Sequence, residues 1–297
     1  MSTDTIEIFH DQPMLVGECP LWCAEENSLY WIDIPRRMLH RKNVQSFEYH
    51  SWALPSEPGC IALHEDGGLV VAMRSGIAVL DTGSGDISML APSPYDSNFI
   101  RFNDGRCDAK GRFWMGTMYE PRDQVLGELY CLEKGRLTEQ GSPVTVSNGL
   151  AFSNDSRTLY HADTTAHSVY RYDFDLEHGT LSKRQPFVSF SSDRSAATYG
   201  GRPDGAAVDS EGAYWVAMFE GARLLRYAPD GLLLQEMRLP VRCPTMIAFG
   251  GSDLRTLFIT SASQNRSASE LSSLPLSGCV LSLQVTVPGV SEHRYAR

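Results

Sequence analysis

Side chains with oxygen ligands recur at matching points of a repeated sequence. Each repeat has a small or polar first residue, here called the head, followed by an apolar run, a turn and a hydrophobic pair. Four of the six heads are Glu, Asn or Asp, whose oxygens are hard ligands suited to Ca²⁺, Mg²⁺ or Mn²⁺. The heads therefore predict a divalent-cation site. They lie 41 to 56 residues apart and are Glu18, Gly59, Asn103, Asn148, Asp204 and Thr245.

The repeats also predict the elements that position the heads. Runs such as Leu29–Asp33 and Tyr214–Met218 are rich in β-branched and aromatic residues, and polar turns such as 209–212 precede the second strand of a repeat. A period of about 40–55 residues made of short strands is typical of a propeller blade. We therefore predict an all-β, six-bladed β-propeller that forms a single domain over residues 1–297, with a central channel and one divalent metal site at one mouth.

The propeller geometry turns the repeat into a site. The first strand of every blade lines the channel and all first strands run in the same direction, so the heads should form a ring at one mouth. The alternative is that Asn or Asp before Gly only forms the turn that enters each strand. Glu18, which precedes Cys-Pro, has no such turn-forming role and favours a site.

Two segments do not follow the repeat. Residues Ser189 to Arg202 precede the fifth head, and the serine-rich residues Ser261 to Ser277 follow the last repeat. Both are predicted to be long loops, and loops of this kind often contribute to substrate selection.

Composition restricts the class of protein. Hydrophobic residues make up 42% and charged residues 21% of the 297 residues, which is usual for a folded globular chain. The net charge of −10 and the lack of a Lys/Arg cluster predict no binding to nucleic acid. No run approaches the ~20 apolar residues of a membrane span, and the N-terminus resembles no signal peptide, so we expect no membrane association and a cytoplasmic location. We also expect a monomer or a weak homo-oligomer.

The seven cysteines offer an alternative metal site. Cys19 and Cys23 have the spacing of half a zinc site, but no second Cys or His pair lies at a matching distance. Buried, reduced thiols are the favoured interpretation.

Several short motifs are distributed over almost the whole chain. They are Gly17-Glu-Cys-Pro-Leu-Trp22, Arg101-Phe-Asn-Asp-Gly105, Gly116-Thr-Met118, Ser147-Asn-Gly-Leu150, Arg202-Pro-Asp-Gly205 and Phe249-Gly-Gly251. No single motif is specific by itself, but together they resemble those of the senescence-marker-protein, regucalcin and gluconolactonase family of six-bladed propellers.

The resemblance implies a specific ligand set. In that family a Glu, an Asn and an Asp from the first, fourth and fifth blades bind one divalent metal, and they match Glu18, Asn148 and Asp204. The identity of the metal stays open among Ca, Zn, Mn, Mg and Fe, because oxygen-rich sites accept several ions. Asp204 is also the expected catalytic base, with one oxygen on the metal and the other free to take a proton from water.

Other residues are expected to contact the substrate or to support the ligands. The resemblance assigns Arg101 and Asn103 to a sugar-like substrate, although Arg101 is also compatible with a salt bridge at the rim. Glu120 is a shifted counterpart of an acidic residue that reaches substrate in some family members. Asp104 and His161 are candidates for support behind the ligands and substrate, and a packed histidine is the alternative for His161.

The implied activity is metal-dependent hydrolysis of aldonolactones to aldonic acids, with a sugar lactone as the small-molecule partner. Two alternatives remain open on the same propeller. One is a metal-dependent hydrolase of organophosphates or other esters, for which a more apolar pocket is expected. The other is a calcium-binding regulatory propeller without catalysis. Arg101 and Asn103 favour a hydroxylated substrate.

Overall fold

Six antiparallel sheets of four strands account for nearly all regular structure in the computed structural model, which describes residues 5–297. Within that range the chain forms 24 strands and one short helix. In chain order these are β1 (Glu7–His10), β2 (Gly17–Cys23), β3 (Ser28–Asp33), β4 (Met38–Asn43), β5 (Tyr49–Ala53), β6 (Pro58–Leu63), β7 (Leu69–Met73), β8 (Gly76–Leu80), β9 (Ile87–Pro92), β10 (Ile100–Cys107), β11 (Phe113–Tyr119), β12 (Leu129–Glu133), β13 (Arg136–Glu139), β14 (Ser147–Phe152), β15 (Thr158–Asp163), β16 (Ser168–Asp175), β17 (Thr180–Ser189), β18 (Arg202–Val208), β19 (Tyr214–Phe219), β20 (Arg223–Tyr227), β21 (Leu233–Arg238), β22 (Pro244–Gly250), β23 (Thr256–Ser261), α1 (Ala268–Ser273) and β24 (Val280–Gln284).

The six sheets are the blades of a closed propeller. The inner strands β2, β6, β10, β14, β18 and β22 contact one another in order, and β22 contacts β2 to complete the ring. The sixth blade combines both ends of the chain, because β1 pairs with β24. Phe9 on β1 packs edge-on against Phe258 on β23 with a centroid distance of 4.9 Å. The predicted all-β, six-bladed propeller is confirmed.

Each inner strand is irregular near its head residue. The register between the first and second strands shifts from Glu18 to Leu21 in the first blade and from Asn148 to Ala151 in the fourth, and the other four blades have a shift at the corresponding place. A bulge re-aims side chains and locally ends the ladder of hydrogen bonds. The repeated bulge therefore allows the heads to turn toward the channel.

A buried aspartate ties the second-strand turn to the core of the fifth blade. Asp209 accepts hydrogen bonds from the Trp215 indole nitrogen at 2.8 Å and from Arg226 Nε at 2.8 Å, and its other oxygen accepts from the Ala213 amide at 3.0 Å. The third blade repeats the link, since Asp108 accepts from the Trp114 indole at 2.8 Å. These bonds compensate the burial of two aspartate carboxylates and two indole N–H groups.

The segments outside the repeat have different structures. Between β17 and β18 the chain forms a loop, as predicted. The prediction of a loop for Ser261 to Ser277 is wrong over Ala268–Ser273, which is α1. The Ser267 hydroxyl accepts from the Glu270 amide, and this N-cap was the overlooked signal. No helix among residues 5–297 is long and apolar enough to cross a membrane.

The cysteines match the favoured interpretation. All seven are buried and none forms a disulfide. Among the described residues, no group of three or more His, Cys, Asp or Glu side chains is placed to hold a metal.

Asp209→Ala is expected to destabilise the fold. The substitution leaves the partly buried guanidinium of Arg226 and the Trp215 indole without their acceptor, and breaking a buried ion pair in this way costs about 3–5 kcal/mol. Urea unfolding followed by tryptophan fluorescence measures the free energy of unfolding. Asp230→Ala is the control, because Asp230 is an exposed turn residue that, within residues 5–297, accepts only from the Leu232 amide. The decrease in the free energy of unfolding should be much smaller in this variant. Equal losses in the two variants would contradict the importance of the buried link.

Candidate active site

A polar cavity of about 220 Å³ opens where the inner strands begin. Five of the six heads line it, as the ring predicts: Glu18, Asn103, Asn148, Asp204 and Thr245. Gly59 does not line it. A Cβ at Gly59 would lie 2.2 Å from the Phe102 carbonyl oxygen, so this position provides close contact between the second and third blades.

Two carboxylates lie buried in the cavity. Glu18 is 9% exposed and Asp204 is 7% exposed. Burial, together with the negative charge of Asp204, raises the pKa of Glu18 well above its usual range. Burial and the charge of Asp104 raise the pKa of Asp204 to about 8, although Arg202, Arg122 and Arg101 oppose the increase. Both acids are therefore costly to ionise without a nearby cation.

A chain of hydrogen bonds fixes the amide groups beside these acids. Arg101 donates to Asn103 Oδ1 at 2.8 Å, and Asn103 Nδ2 donates to Asn148 Oδ1 at 2.9 Å. Asn148 Nδ2 donates to the Thr164 hydroxyl at 2.8 Å, and this hydroxyl donates to the Pro203 carbonyl at 2.7 Å. The chain links the third, fourth and fifth blades and determines which end of each amide is the oxygen.

The donor set fits a hard divalent cation. Glu18 and Asp204 supply carboxylates, and Asn148 Oδ1 keeps one lone pair after accepting from Asn103. Within residues 5–297 the Asp204 carboxylate accepts no hydrogen bond, whereas Glu18 accepts one from the Cys19 amide at 2.9 Å. A cation at this position would compensate the repulsion between the two buried acids.

Arg101 lies at the cavity wall and also forms an ion pair at the rim. Its Nε is 3.5 Å from Glu120 Oε1, and the same carboxylate accepts from Arg74 Nη2 at 2.8 Å. Burial lowers the pKa of Arg101. Burial acts to raise the pKa of Glu120, but the two arginines outweigh it and the pKa of Glu120 is lowered. Glu120 is not among the residues that line the cavity, and its contact with substrate stays a prediction.

Asp104 and His161 lie behind the cavity wall. Asp104 accepts from the Gly105 amide at 2.7 Å and from the Leu150 amide at 2.9 Å, so its oxygens support the bulge and the fourth blade. Burial raises the pKa of Asp104 to about 6. His161 is fully buried, with Nε2 2.7 Å from the Ser147 hydroxyl and, within the described residues, no partner at Nδ1. Both residues support their surroundings without lining the cavity.

Four further residues of the cavity wall were not predicted from the sequence. Thr164 orients the Asn148 amide, and Arg122, Arg202 and Arg266 bring further positive charge. One available signal was register: Arg202 precedes Asp204 by two residues, as Arg101 precedes Asn103. The positions of Arg122 and Arg266 lie outside the repeat.

Comparison with known proteins identifies the family. The family described as SMP-30/Gluconolactonase/LRE-like region matches residues 16–263. The chain belongs to the SMP-30/gluconolactonase/LRE-like family. Among members of this family, the chain is 48% identical to a 6-deoxy-6-sulfogluconolactonase from Pseudomonas putida, over 99% of each chain. It is 32% identical to regucalcin from Gallus gallus over the full length of both.

The solved structures agree with this SMP-30/gluconolactonase assignment. A calcium-binding protein, regucalcin, from Agrobacterium tumefaciens superposes with a TM-score of 0.93 at 27% identity, covering 99% of this chain and 98% of that one. The family resemblance expected from the sequence motifs is thus confirmed.

His161→Gln is expected to reduce the acid sensitivity of the fold. Burial lowers the pKa of His161 to about 3, whereas an unfolded histidine titrates near pH 6.5. Between these values only the unfolded state binds the proton, so the contribution of His161 to stability is complete above pH 6.5 and declines as the pH falls. Replacing the His161 imidazole should reduce the slope of the unfolding free energy against pH by up to about 1.4 kcal/mol per pH unit.

Urea unfolding between pH 4 and 7 measures this slope. His178→Gln is the matched control, because the His178 side chain is 73% exposed and pairs with Asp175 at the surface. A slope in His161→Gln that equals the slope of the unmodified protein would show that His161 is protonated in the folded state.

Proposed function

We propose that the protein hydrolyses sugar lactones to aldonic acids, with a divalent metal ion held by Glu18, Asn148 and Asp204. The observation that carries the proposal is the pair of buried carboxylates beside an amide oxygen whose orientation is fixed by hydrogen bonds. Lactonases and regucalcins among the relatives support the same assignment.

A divalent ion held by Glu18, Asn148 and Asp204 would polarise the lactone carbonyl as a Lewis acid. Asp204 would take a proton from the attacking water through its free oxygen. In support of this role, no residue within 5–297 donates a hydrogen bond to its carboxylate. The same oxygen then returns the proton to the ring oxygen as the C–O bond breaks.

The cavity wall positions a polar substrate. Asn103 is held between Arg101 and Asn148, so its amide cannot rotate freely. Arg101 retains guanidinium donors beyond those used for Asn103 and the Phe102 carbonyl. Fixed donors of this kind hold hydroxyl groups in a reactive orientation. This polar lining favours a sugar lactone over an apolar organophosphate ester.

The names of the relatives define the substrates to test. Neutral aldonolactones of five and six carbons are the first candidates. A hexonolactone with a sulfonate at carbon 6 joins them, because the 48% identical relative is a 6-deoxy-6-sulfogluconolactonase.

Metal removal is expected to abolish hydrolysis, and one divalent ion should restore it. The protein is stripped with a chelator, Ca²⁺, Mg²⁺, Mn²⁺, Zn²⁺ or Fe²⁺ is returned, and acid release is followed in a pH-stat with the uncatalysed rate subtracted. Asp204→Asn keeps an oxygen ligand but cannot accept the proton, so at saturating metal its kcat should fall by about 10²–10⁴-fold. Asp230→Asn, at an exposed turn, is the control.

The outcomes separate the proposals. An unchanged kcat in Asp204→Asn would show that Asp204 is not the base. If no lactone is hydrolysed with any ion, the lactonase proposal is wrong. Calorimetric binding of Ca²⁺ without turnover would then favour a calcium-binding protein, and loss of that binding in Glu18→Gln would still locate the ion.

A further inference from the structure

The cavity carries more positive charge than a neutral sugar requires. Four arginines line it, namely Arg101, Arg122, Arg202 and Arg266, against the two carboxylates of Glu18 and Asp204. This contrasts with the net charge of −10 for the whole chain. If a divalent ion balances the two carboxylates, the guanidinium groups remain as the dominant charge facing the substrate. Such a field attracts an anion.

Arg202 lies beside the proposed reaction centre. It precedes Asp204 by two residues on β18, and both residues line the cavity. Its guanidinium carbon is 5.2 Å from the centre of the Phe219 ring, a cation–π contact that helps to hold the group in place. Arg202 Nε is buried and, within the described residues, has no hydrogen-bond acceptor.

Arg266 completes the same side of the cavity. It lies between β23 and α1, and its Nε is also buried without an acceptor among residues 5–297. Its terminal nitrogens are 3.6 Å from Glu220 Oε1 and 3.8 Å from Glu270 Oε1, distances that indicate ion pairing without close hydrogen bonds. An arginine has five N–H donors, so most donors of Arg266 are available.

A single carboxylate serves three arginines on this wall. Glu220 Oε2 is 2.8 Å from Arg194 Nη2 and 3.4 Å from Arg202 Nη2, and Glu220 Oε1 is the partner of Arg266. Arg194 is largely exposed and does not line the cavity, and it takes the shortest of the three contacts. Glu220 thus holds the two cavity arginines in place but does not saturate their donors or cancel their charge.

We propose that Arg202 and Arg266 bind a tetrahedral oxyanion on the substrate, a sulfonate or a phosphate, at the end remote from the lactone carbonyl. The inference rests on the proposed lactonase function and specifies an anionic sugar lactone as its substrate class. Two guanidinium groups facing one site match the oxygens of such an anion, and charge-assisted bonds of this type give both affinity and orientation. The inner strands then supply the chemistry, and the wall of the fifth and sixth blades supplies the selection.

The test compares three matched hexonolactones that carry a hydroxyl, a sulfonate or a phosphate at carbon 6. With the metal-loaded protein, kcat/KM should be about 10–100-fold higher for one or both anionic lactones than for the hydroxyl form, the gain expected from hydrogen bonds to a charged group. The sulfonate and phosphate arms identify which oxyanion is used. Arg202→Gln and Arg266→Gln should each lower the anionic-to-neutral ratio of kcat/KM by about 10-fold or more, mainly through KM. Arg202→Lys, which keeps the charge, should recover part of the ratio.

Arg194→Gln is the matched control, because Arg194 contacts the same Glu220 from outside the cavity and its loss should leave the ratio unchanged. Methanesulfonate and inorganic phosphate provide a second readout: either should inhibit competitively in the unmodified protein and less in Arg202→Gln. The proposal of an anion site is wrong if the neutral lactone has the same kcat/KM as both anionic lactones and neither variant alters the ratio. The lactonase proposal stands in that case. If no lactone is hydrolysed, the lactonase proposal fails. Calorimetry with the same two probes then decides the anion site: binding that Arg202→Gln loses supports it, and no binding overturns it.

Discussion

The burial of two carboxylates in one cavity dominates the centre of this propeller. Glu18 and Asp204 come from the first and fifth blades, yet both line the same cavity, and burial together with the charge of Asp204 raises the pKa of Glu18. Like charges in a poorly solvated space destabilise the fold unless they are protonated or paired with a cation. Asn148 contributes an oriented amide oxygen to the same cavity, and no residue within 5–297 donates a hydrogen bond to the Asp204 carboxylate, so the proposed divalent ion would provide the second solution. Without that ion the arrangement would lower stability, which is a frequent cost of a binding site.

Closure of the ring is what holds these groups at one place. The inner strands contact one another around the channel, and β1 completes the sixth blade by pairing with β24. A shift of one inner strand would therefore displace the strands that it contacts. Hydrogen bonds then fix the finer orientation, from Arg101 through Asn103, Asn148 and Thr164 to the Pro203 carbonyl. This chain of hydrogen bonds ends at the Pro203 carbonyl, one residue before Asp204. A disturbance of the amides is therefore transmitted to the backbone that carries the proposed base.

The sequence predicted the architecture and the inner ring because both follow from a period. Copies of one strand-turn-strand unit must place their heads equivalently, and this argument brought five heads to one mouth without a structure: Glu18, Asn103, Asn148, Asp204 and Thr245. The selection of Glu18, Asn148 and Asp204 as proposed ligands came from the family resemblance. The equivalence of the heads failed for Gly59, because a repeat gives the position of a residue and not how closely a neighbouring blade approaches. The repeat did not predict the position of Arg266, for a different reason. This residue lies in a segment outside the repeat, where the path of the chain depends on local features such as the N-cap at Ser267.

The division between repeated and non-repeated segments also separates two kinds of function. Each inner strand packs between the inner strands of two neighbouring blades, so the groups proposed to hold an ion and move a proton have a fixed position there. Segments between blades contact fewer neighbours and can change sequence at a lower cost in stability. Arg202 stands at the boundary, as the first residue of β18, and Arg266 lies beyond it, with Glu220 linking the two. Substitution in this wall can alter which lactone is selected while the ring of oxygen ligands keeps its geometry, which accounts physically for a shared scaffold among relatives with different names.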